Sequence, residues 1–440
     1  NGKGGNVAKI ERQLTLFDTS CIIVGIIVGA GIFETAPEVA RSQSSLLGLV
    51  LVWLFGGLLS LAGALCYAEL ATTYPEAGGD IVYLERAYGD WAGFLFGWAN
   101  ALVIRPGSIA AVAFAFARYA EMLYPGEGSN SVQVKIAYAL AATVLLTVLN
   151  VLGVKESTTA QNILVVAKVV GLLAVVAAAF WGAPEVEMFS RDGEVVSPVL
   201  GLILVLFTFG GWNDVAYVAA EVEKPERNLF WSLVLGTAAV IGLYLLVNLA
   251  YTATLGLAGV ATSKAVATDT IAVVFPKGAA MAVAILICVC TLGGTNGTIF
   301  TGARIYFALG ERVPLLSFLG TWSESFDTPA NALIVQGVLT IPIIFLAGSF
   351  SSSVVYTTTV VWVFFLATGI ALFVLRYREP NVKRPNPVFA HPLTTLVFCG
   401  SCLLLIWGAI DYDPKGSAAS LLLLISGIPV YLYSKRKSVE

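Results

Sequence analysis

Gly25-Ile26-Ile27-Val28-Gly29-Ala30-Gly31-Ile32-Phe33, in the middle of the first apolar run, decides how the chain is read. Glycine has no Cβ, leaves helical geometry readily, and costs about 1 kcal/mol relative to alanine inside a helix. A cluster of glycines at mid-membrane depth therefore marks a break. A second cluster, Phe207-Thr208-Phe209-Gly210-Gly211-Trp212-Asn213, lies about midway along the chain. Broken backbone in hydrocarbon needs a reason, because unpaired N–H and C=O groups survive there only where protein or a polar cavity satisfies them. Two interruptions at corresponding points of two halves point to a site built between them.

The rest of the composition agrees with a membrane setting. The chain has 440 residues, 58% of them hydrophobic and 12% charged, with a mean hydropathy of +0.84. That is too apolar for a soluble globule and describes an all-α polytopic membrane protein. A net charge of -3 suggests no nucleic-acid partner. Cys21, Cys66, Cys288, Cys290, Cys399 and Cys402 all fall inside apolar runs, which reads as small buried hydrophobes rather than disulfides or a metal site. The first run follows a polar stretch and is too long for a cleavable signal peptide. Gly2-Lys3-Gly4-Gly5 lacks the context of a phosphate loop. With one histidine and short loops, no enzyme constellation of nucleophile, base or metal emerges, and no cofactor is expected.

Taking about 20 apolar residues as the spanning unit gives twelve transmembrane segments. They lie near 15–40, 46–73, 88–123, 133–152, 160–182, 198–221, 229–256, 272–310, 329–348, 353–376, 392–411 and 418–434. Lysine and arginine accumulate in cytoplasmic loops. Placing both termini inside leaves only Arg41, Lys135, Arg191, Lys264, Lys277 and Lys415 outside. Lys3, Lys9, Arg12, Arg86, Lys155, Lys224, Arg227 and the clusters at 304–312, 376–384 and 435–437 are then inside. The expected setting is a plasma, or inner, membrane.

Gly29 in segment one and Gly210 in segment six hold the same place in two successive runs of five segments. Five is odd, so the second run is inverted relative to the first. The expected organisation is a cytoplasmic N-terminus (1–14), a first repeat (15–182), an inverted second repeat (198–376), two peripheral helices (392–434) and a cytoplasmic tail (435–440).

A broken helix exposes two kinds of polar end. The N-terminal end of one half offers N–H groups and a positive dipole to an anion, and the C-terminal end of the other offers carbonyls to a cation. An α-amino acid carries both charges close together. The N–H groups around Ala30, Gly31 and Ile32 are expected to hold its carboxylate, and the carbonyls of Ile27, Phe207 and Gly210 its ammonium, with Gly29 also at the site. The competing reading of Gly25 and Gly29 is a small-xxx-small packing face. Lys168 stands among valines in segment five, where a central lysine costs about 2.5–3.5 kcal/mol on insertion scales. It is read either as snorkelling from a place one or two turns inside the cytoplasmic edge or as a fixed ammonium in the place of a coupling sodium ion, bonded to carbonyls of segment one. Arg105, before Pro106, reads as a structural charge bonded to carbonyls or hydroxyls. Asn213 is placed to bridge the second break, Trp212 to gate or pack, and Glu34 to face the external vestibule as a backbone support, a cation attractor or a proton carrier. Asn296-Gly297-Thr298 matches a glycosylation pattern but lies within segment eight, and His391 reads as an interface residue.

Taken together, Val28-Gly29-Ala30-Gly31-Ile32-Phe33, Ile104-Arg105-Pro106, Lys168, Phe209-Gly210-Gly211-Trp212-Asn213, Glu221 to Asn228 and Thr295 to Thr301 resemble the amino acid, polyamine and organocation superfamily, and within it the L-type, light-subunit-type exchangers. The resemblance implies the leucine-transporter fold, a 5+5 inverted repeat with helices one and six broken, and sodium-independent exchange of neutral L-amino acids by alternating access. It also implies a place for Trp362 near the pocket. Three departures stand out. Ala30 replaces the family's usual serine, Glu34 and Asp214 replace residues that are commonly uncharged or aromatic, and the loop Pro125 to Asn130 lacks the cysteine that joins eukaryotic members to a glycoprotein. No disulfide-linked heavy subunit is therefore expected, and the chain looks like a prokaryotic stand-alone member. Proton-coupled uptake of cationic amino acids or polyamines, and an amino acid sensor that binds without moving its ligand, remain the alternatives.

Overall fold

The computed structural model describes residues 11–124, 131–182, 198–276, 278–347 and 350–437. The loop Pro125 to Asn130, Arg191, Lys277 and both extreme termini, with Lys3 and Lys9, lie outside the described residues. Eleven of its helices are long and apolar enough to cross a membrane, and a shorter apolar helix, Ala330–Leu346, supplies the twelfth. The molecule is all-α, and its described residues contain isolated β-bridges rather than strands.

Span one starts on a capping box, in which Thr15 and Asp18 satisfy each other's backbone, and its first half runs Leu16–Ile27. The chain leaves helical geometry at Val28 (ψ 74°) and resumes as Gly31–Glu34 and Ala36–Arg41. Span six is likewise split into Pro198–Thr208 and a 3-10 stretch, Trp212–Glu221. Gly211 joins the halves at φ 106°, a left-handed conformation that favours glycine. A Cβ there would lie 2.4 Å from Ile26 Cγ2, so this glycine also lets the two breaks touch.

The two halves of the chain repeat even their accessory parts. A short helix, Asp80–Tyr88, lies between spans two (Leu46–Thr73) and three (Asp90–Leu123), and another, Val266–Val274, lies between spans seven (Pro225–Thr262) and eight (Ala279–Arg312). The sequence reading merged that second helix into a segment at 272–310. The apolar run is continuous in composition, but the helix ends at Val274, before Pro276, and span eight starts only at Ala279. Span seven is longer than expected, because an apolar stretch continues past a kink at Gly256 (φ 69°). Span three contains a π-helical segment, Asn100–Ile104, immediately before Arg105-Pro106.

Burial grades from the centre outward. Span three has 72% of its apolar window buried, whereas the last span, Pro414–Lys435, has 17%. Span eleven, Leu393–Tyr412, packs against span ten, Thr357–Arg378. On the face that carries the N-terminus, several buried charges are paired. Arg304 and Glu221, each 1% exposed, pair through two bonds of 2.7 Å. Glu69 receives Arg376 and Arg384. There, too, the amides of Gln13 and Leu14 donate to Glu221 O, and Glu223 N donates to Leu14 O. This parallel bridge staples the start of span one to the end of span six, so their halves on that face form one unit.

Candidate functional site

The two breaks meet around a cavity of about 190 Å³. Ile26 to Ile27 and Gly29 to Gly31 line it from span one, and Phe207, Thr208, Gly210, Gly211, Asn213, Asp214 and Tyr217 from span six. Span three adds Phe96, Asn100, Arg105 and Ser108, span eight Thr298, and span ten Trp362 with its neighbours.

The backbone at the first break divides cleanly. Among the described residues, no hydrogen bond takes up the N–H of Ala30, Gly31 or Ile32, while Phe33, Glu34 and Thr35 donate back to Ala30 and Gly31. The carbonyl end is mostly occupied. Lys168 Nζ donates to Gly25 O and Val28 O, both at 2.8 Å, and to Cys290 O of span eight at 2.9 Å. Ile27 O accepts from Gly29 N at 2.8 Å and from the Tyr244 hydroxyl at 2.8 Å, which uses both its lone pairs. Ile26 O has no such partner, and it too lies at the cavity. At the second break, Phe207 O accepts from Gly210 N at 2.9 Å, and among the described residues no hydrogen bond reaches Gly210 O.

Lys168 is fully buried halfway along span five, Val154–Trp181, so it does not snorkel. It stands behind the broken backbone rather than in the cavity wall. The two readings of the first glycines separate as well. A Cβ on Gly25 would collide with Gln161 and Val165 of span five, whereas one on Gly29 meets only Ile26 O at 3.7 Å. Gly25 is thus a packing contact and Gly29 faces the cavity.

Other candidates fall in different places. Asn213 does not bridge the break; its Nδ2 donates to the Tyr217 hydroxyl at 2.7 Å. Trp212, 1% exposed, packs against Tyr67, Phe365 and Phe398 away from the cavity, whereas Trp362 lines it. Glu34 is held by Arg118 Nη1 at 2.8 Å to each carboxylate oxygen, which ties the second half of span one to span three. Ile32 is fully buried and only its backbone faces the break region. Arg105 bonds Asp214 through both terminal nitrogens, at 2.6 and 3.1 Å, and Thr301 donates to the same carboxylate at 2.6 Å. The sequence reading gave Arg105 hydroxyl or carbonyl partners and missed Asp214. It also missed Asn100, Ser108, Tyr217 and Thr298, whose polar character carries no signal until the spans are packed.

Below the cavity on the N-terminal face, Asp80 of the first accessory helix accepts from the hydroxyls of Tyr67 and Thr368 on one oxygen and of Tyr217 on the other. Burial pushes this carboxyl up to about 6, partly offset by those three hydrogen bonds. A relay therefore runs from Asn213 through Tyr217 to a carboxylate outside the spans. No metal-binding cluster of His, Cys, Asp and Glu occurs among the described residues.

Two broken spans around a central cavity, with inverted repeats on either side, define a multi-pass membrane carrier of the leucine-transporter type. The chain matches the amino acid permease family model over residues 14–431 and belongs to that family. It is 31% identical over 434 residues to the b(0,+)-type amino acid transporter 1 of Mus musculus, covering 96% of this chain and 88% of that one. It is 29% identical over 451 residues to the large neutral amino acids transporter small subunit 2 of Homo sapiens, covering 98% and 82%. By that membership the protein is an amino acid transporter and not an enzyme.

Proposed function

We propose that the protein exchanges neutral L-amino acids without sodium, by alternating access around the cavity between spans one and six. The observation that carries this reading is the asymmetric occupancy of the broken backbone. Three amides at the start of the outer half-helix, those of Ala30, Gly31 and Ile32, have no fixed partner and suit a carboxylate. Ile26 O and Gly210 O, with Phe207 O, suit the ammonium; Ile27 is already taken and contributes its place in the wall. Gly29 leaves room for the cargo's backbone, and Asn213 and Trp362 line the space for its side chain. Lys168 supplies the positive charge a coupling ion would bring, so transport needs no sodium. The relatives' names, a b(0,+)-type amino acid transporter and a large neutral amino acids transporter, support cargo of this class.

Lysine and arginine placement supports cytoplasmic termini in a plasma or inner membrane. The name of the second relative includes "small subunit", which speaks for an assembly in that protein and against the expectation of no disulfide-linked heavy subunit as a general rule. For this chain we propose only that the cysteine-free loop Pro125 to Asn130 rules out a disulfide at that position.

The test is uptake of radiolabelled leucine into proteoliposomes, with and without internal leucine and with and without sodium. Uptake stimulated by internal leucine and indifferent to sodium is expected. Uptake independent of internal amino acid would overturn exchange, and sodium-dependent uptake would overturn the role of Lys168.

A further inference from the structure

We infer that Arg105 sets substrate charge by masking Asp214: it is a built-in counter-ion that keeps a carboxylate in the cavity wall from selecting cationic side chains. This rests on the cavity being an amino acid site and goes further by naming the pair that makes its wall neutral.

Asp214 sits three residues past Gly211 at the break of span six, on the 3-10 stretch, and lines the cavity. Arg105 and Asp214 are the charged residues among those that line it. Their side chains are 6% and 7% exposed, and their two hydrogen bonds form the parallel fork that a guanidinium offers a carboxylate. Thr301 also donates to Asp214, and its own oxygen receives Arg105 Nη1 at 3.4 Å, so the pair is pinned from span eight as well. The guanidinium carbon stands 4.9 Å from the Tyr217 ring centre. One lone-pair direction of Asp214 Oδ1 and the Nε of Arg105 remain without partners, so the pair is neutral in sum yet not saturated in hydrogen bonds.

The local backbone explains how a charge on span three reaches a charge on span six. The π-helical segment Asn100–Ile104 ends immediately before Arg105, and Pro106 follows it. A π turn inserts a residue into the helical register and shifts the face that later side chains occupy. Lys168 is not part of the wall, since its ammonium stands behind the broken backbone, bonded to carbonyls there. A cargo side chain entering this cavity therefore meets zero net charge at low dielectric. An extra unpaired cation would be desolvated without a partner, which is costly. Without Arg105, the same wall would offer a lone carboxylate, and a lysine or arginine side chain could take the vacated role.

The experiment is competitive uptake of labelled leucine by wild-type protein and two opposite single variants, Arg105→Gln and Asp214→Asn, with arginine, glutamate and leucine as competitors. Thermal melts of each purified variant report folding. Arg105→Gln is expected to shift the arginine-to-leucine preference at least about tenfold toward arginine, as one buried charge pair exchanged for another allows. Asp214→Asn, which unmasks the guanidinium, is expected to shift preference toward glutamate. A folded Arg105→Gln variant that still takes up leucine with an unmoved arginine-to-leucine ratio overturns the inference; so does a folded Asp214→Asn variant with an unmoved glutamate ratio. If neither variant folds, wild type decides, because arginine competing as well as leucine overturns masking. Failure of wild type to take up any amino acid would instead refute the function proposed above.

Discussion

Lys168→Met removes an ammonium while nearly preserving volume, and its consequence follows from three distances. Gly25 O and Val28 O at 2.8 Å and Cys290 O at 2.9 Å each lose a charged donor. A buried acceptor left unpaired costs about 1–3 kcal/mol, so three set a range of about 3–9 kcal/mol. The variant also escapes the desolvation of a buried ammonium, a penalty of several kcal/mol. Taking the middle of the first range, about 6 kcal/mol, against an escaped penalty of about 3–4 kcal/mol leaves a net loss of about 2–3 kcal/mol, equivalent to about 30- to 150-fold at 1.4 kcal/mol per decade. That loss falls on the joint between spans one, five and eight, which the inner half of span one must keep while it tilts. Leucine exchange in proteoliposomes should therefore drop by one to two orders of magnitude in Lys168→Met, with protein that still melts cooperatively. Lys168→Ala vacates the ammonium's space among three carbonyl oxygens, and its residual exchange should become stimulated by sodium while wild type stays indifferent. Exchange by Lys168→Met indistinguishable from wild type would refute the reasoning, because carbonyls at the break would then need no fixed cation.

Asp80 gives a prediction in pH. Burial places its carboxyl near about 6 in the folded protein against an ordinary 3.8, so the folded state holds the proton more tightly. Stability from this group is then highest below the unfolded value and is lost as pH rises from about 4 through about 6, by about 3 kcal/mol at 1.36 kcal/mol per pH unit. Asp80→Asn should flatten that part of the pH dependence in thermal melts, and wild-type and variant curves that stay parallel over the window would contradict it. Gly211→Ala places a Cβ 2.4 Å from Ile26 Cγ2 at a residue with φ 106°. With about 1–2 kcal/mol of left-handed backbone cost added to that clash, Ile26 must move, and leucine exchange should fall more than thermal stability does. Unchanged exchange would show that the two breaks need not touch.

Spans and breaks were legible because each is a local property. An apolar run of sufficient length needs no partner to be recognised, and Gly29 and Gly211 advertise a break wherever they occur in such a run. Lys168 was legible in part: a lone ammonium in span five needs acceptors, and unpaired carbonyls at a helix break are the nearest supply. Its third acceptor, Cys290 O, was not, because a backbone carbonyl in span eight has no residue-specific signature. Arg105 and Asp214 illustrate the limit more sharply. Each was visible as an isolated charge in an apolar run, and neutralising both together was the economical solution. Yet they lie 109 residues apart, and nothing between Asn100 and Ile104 announces the π turn before Arg105. Val266–Val274 failed for another reason, since composition alone cannot tell a helix lying at the surface from the first turns of a span.

The buried charges also explain why an empty carrier of this design should cross slowly. Wherever the structure needs permanence, a fixed group closes the polar backbone: Lys168 and Tyr244 take the carbonyls of Gly25, Ile27 and Val28, and the Leu14 to Val222 bridge binds the two inner half-helices. At the outer half of span one the amides of Ala30, Gly31 and Ile32 are left open. In a water-filled cavity those amides are solvated, but in the occluded state between the two open forms water is largely expelled. On the proposed reading a bound carboxylate then replaces the water, whereas the empty carrier would bury up to three unmet donors at about 1–3 kcal/mol each. The barrier for return without cargo rises accordingly, and exchange follows from which backbone groups the fold leaves unpaired rather than from any separate coupling device.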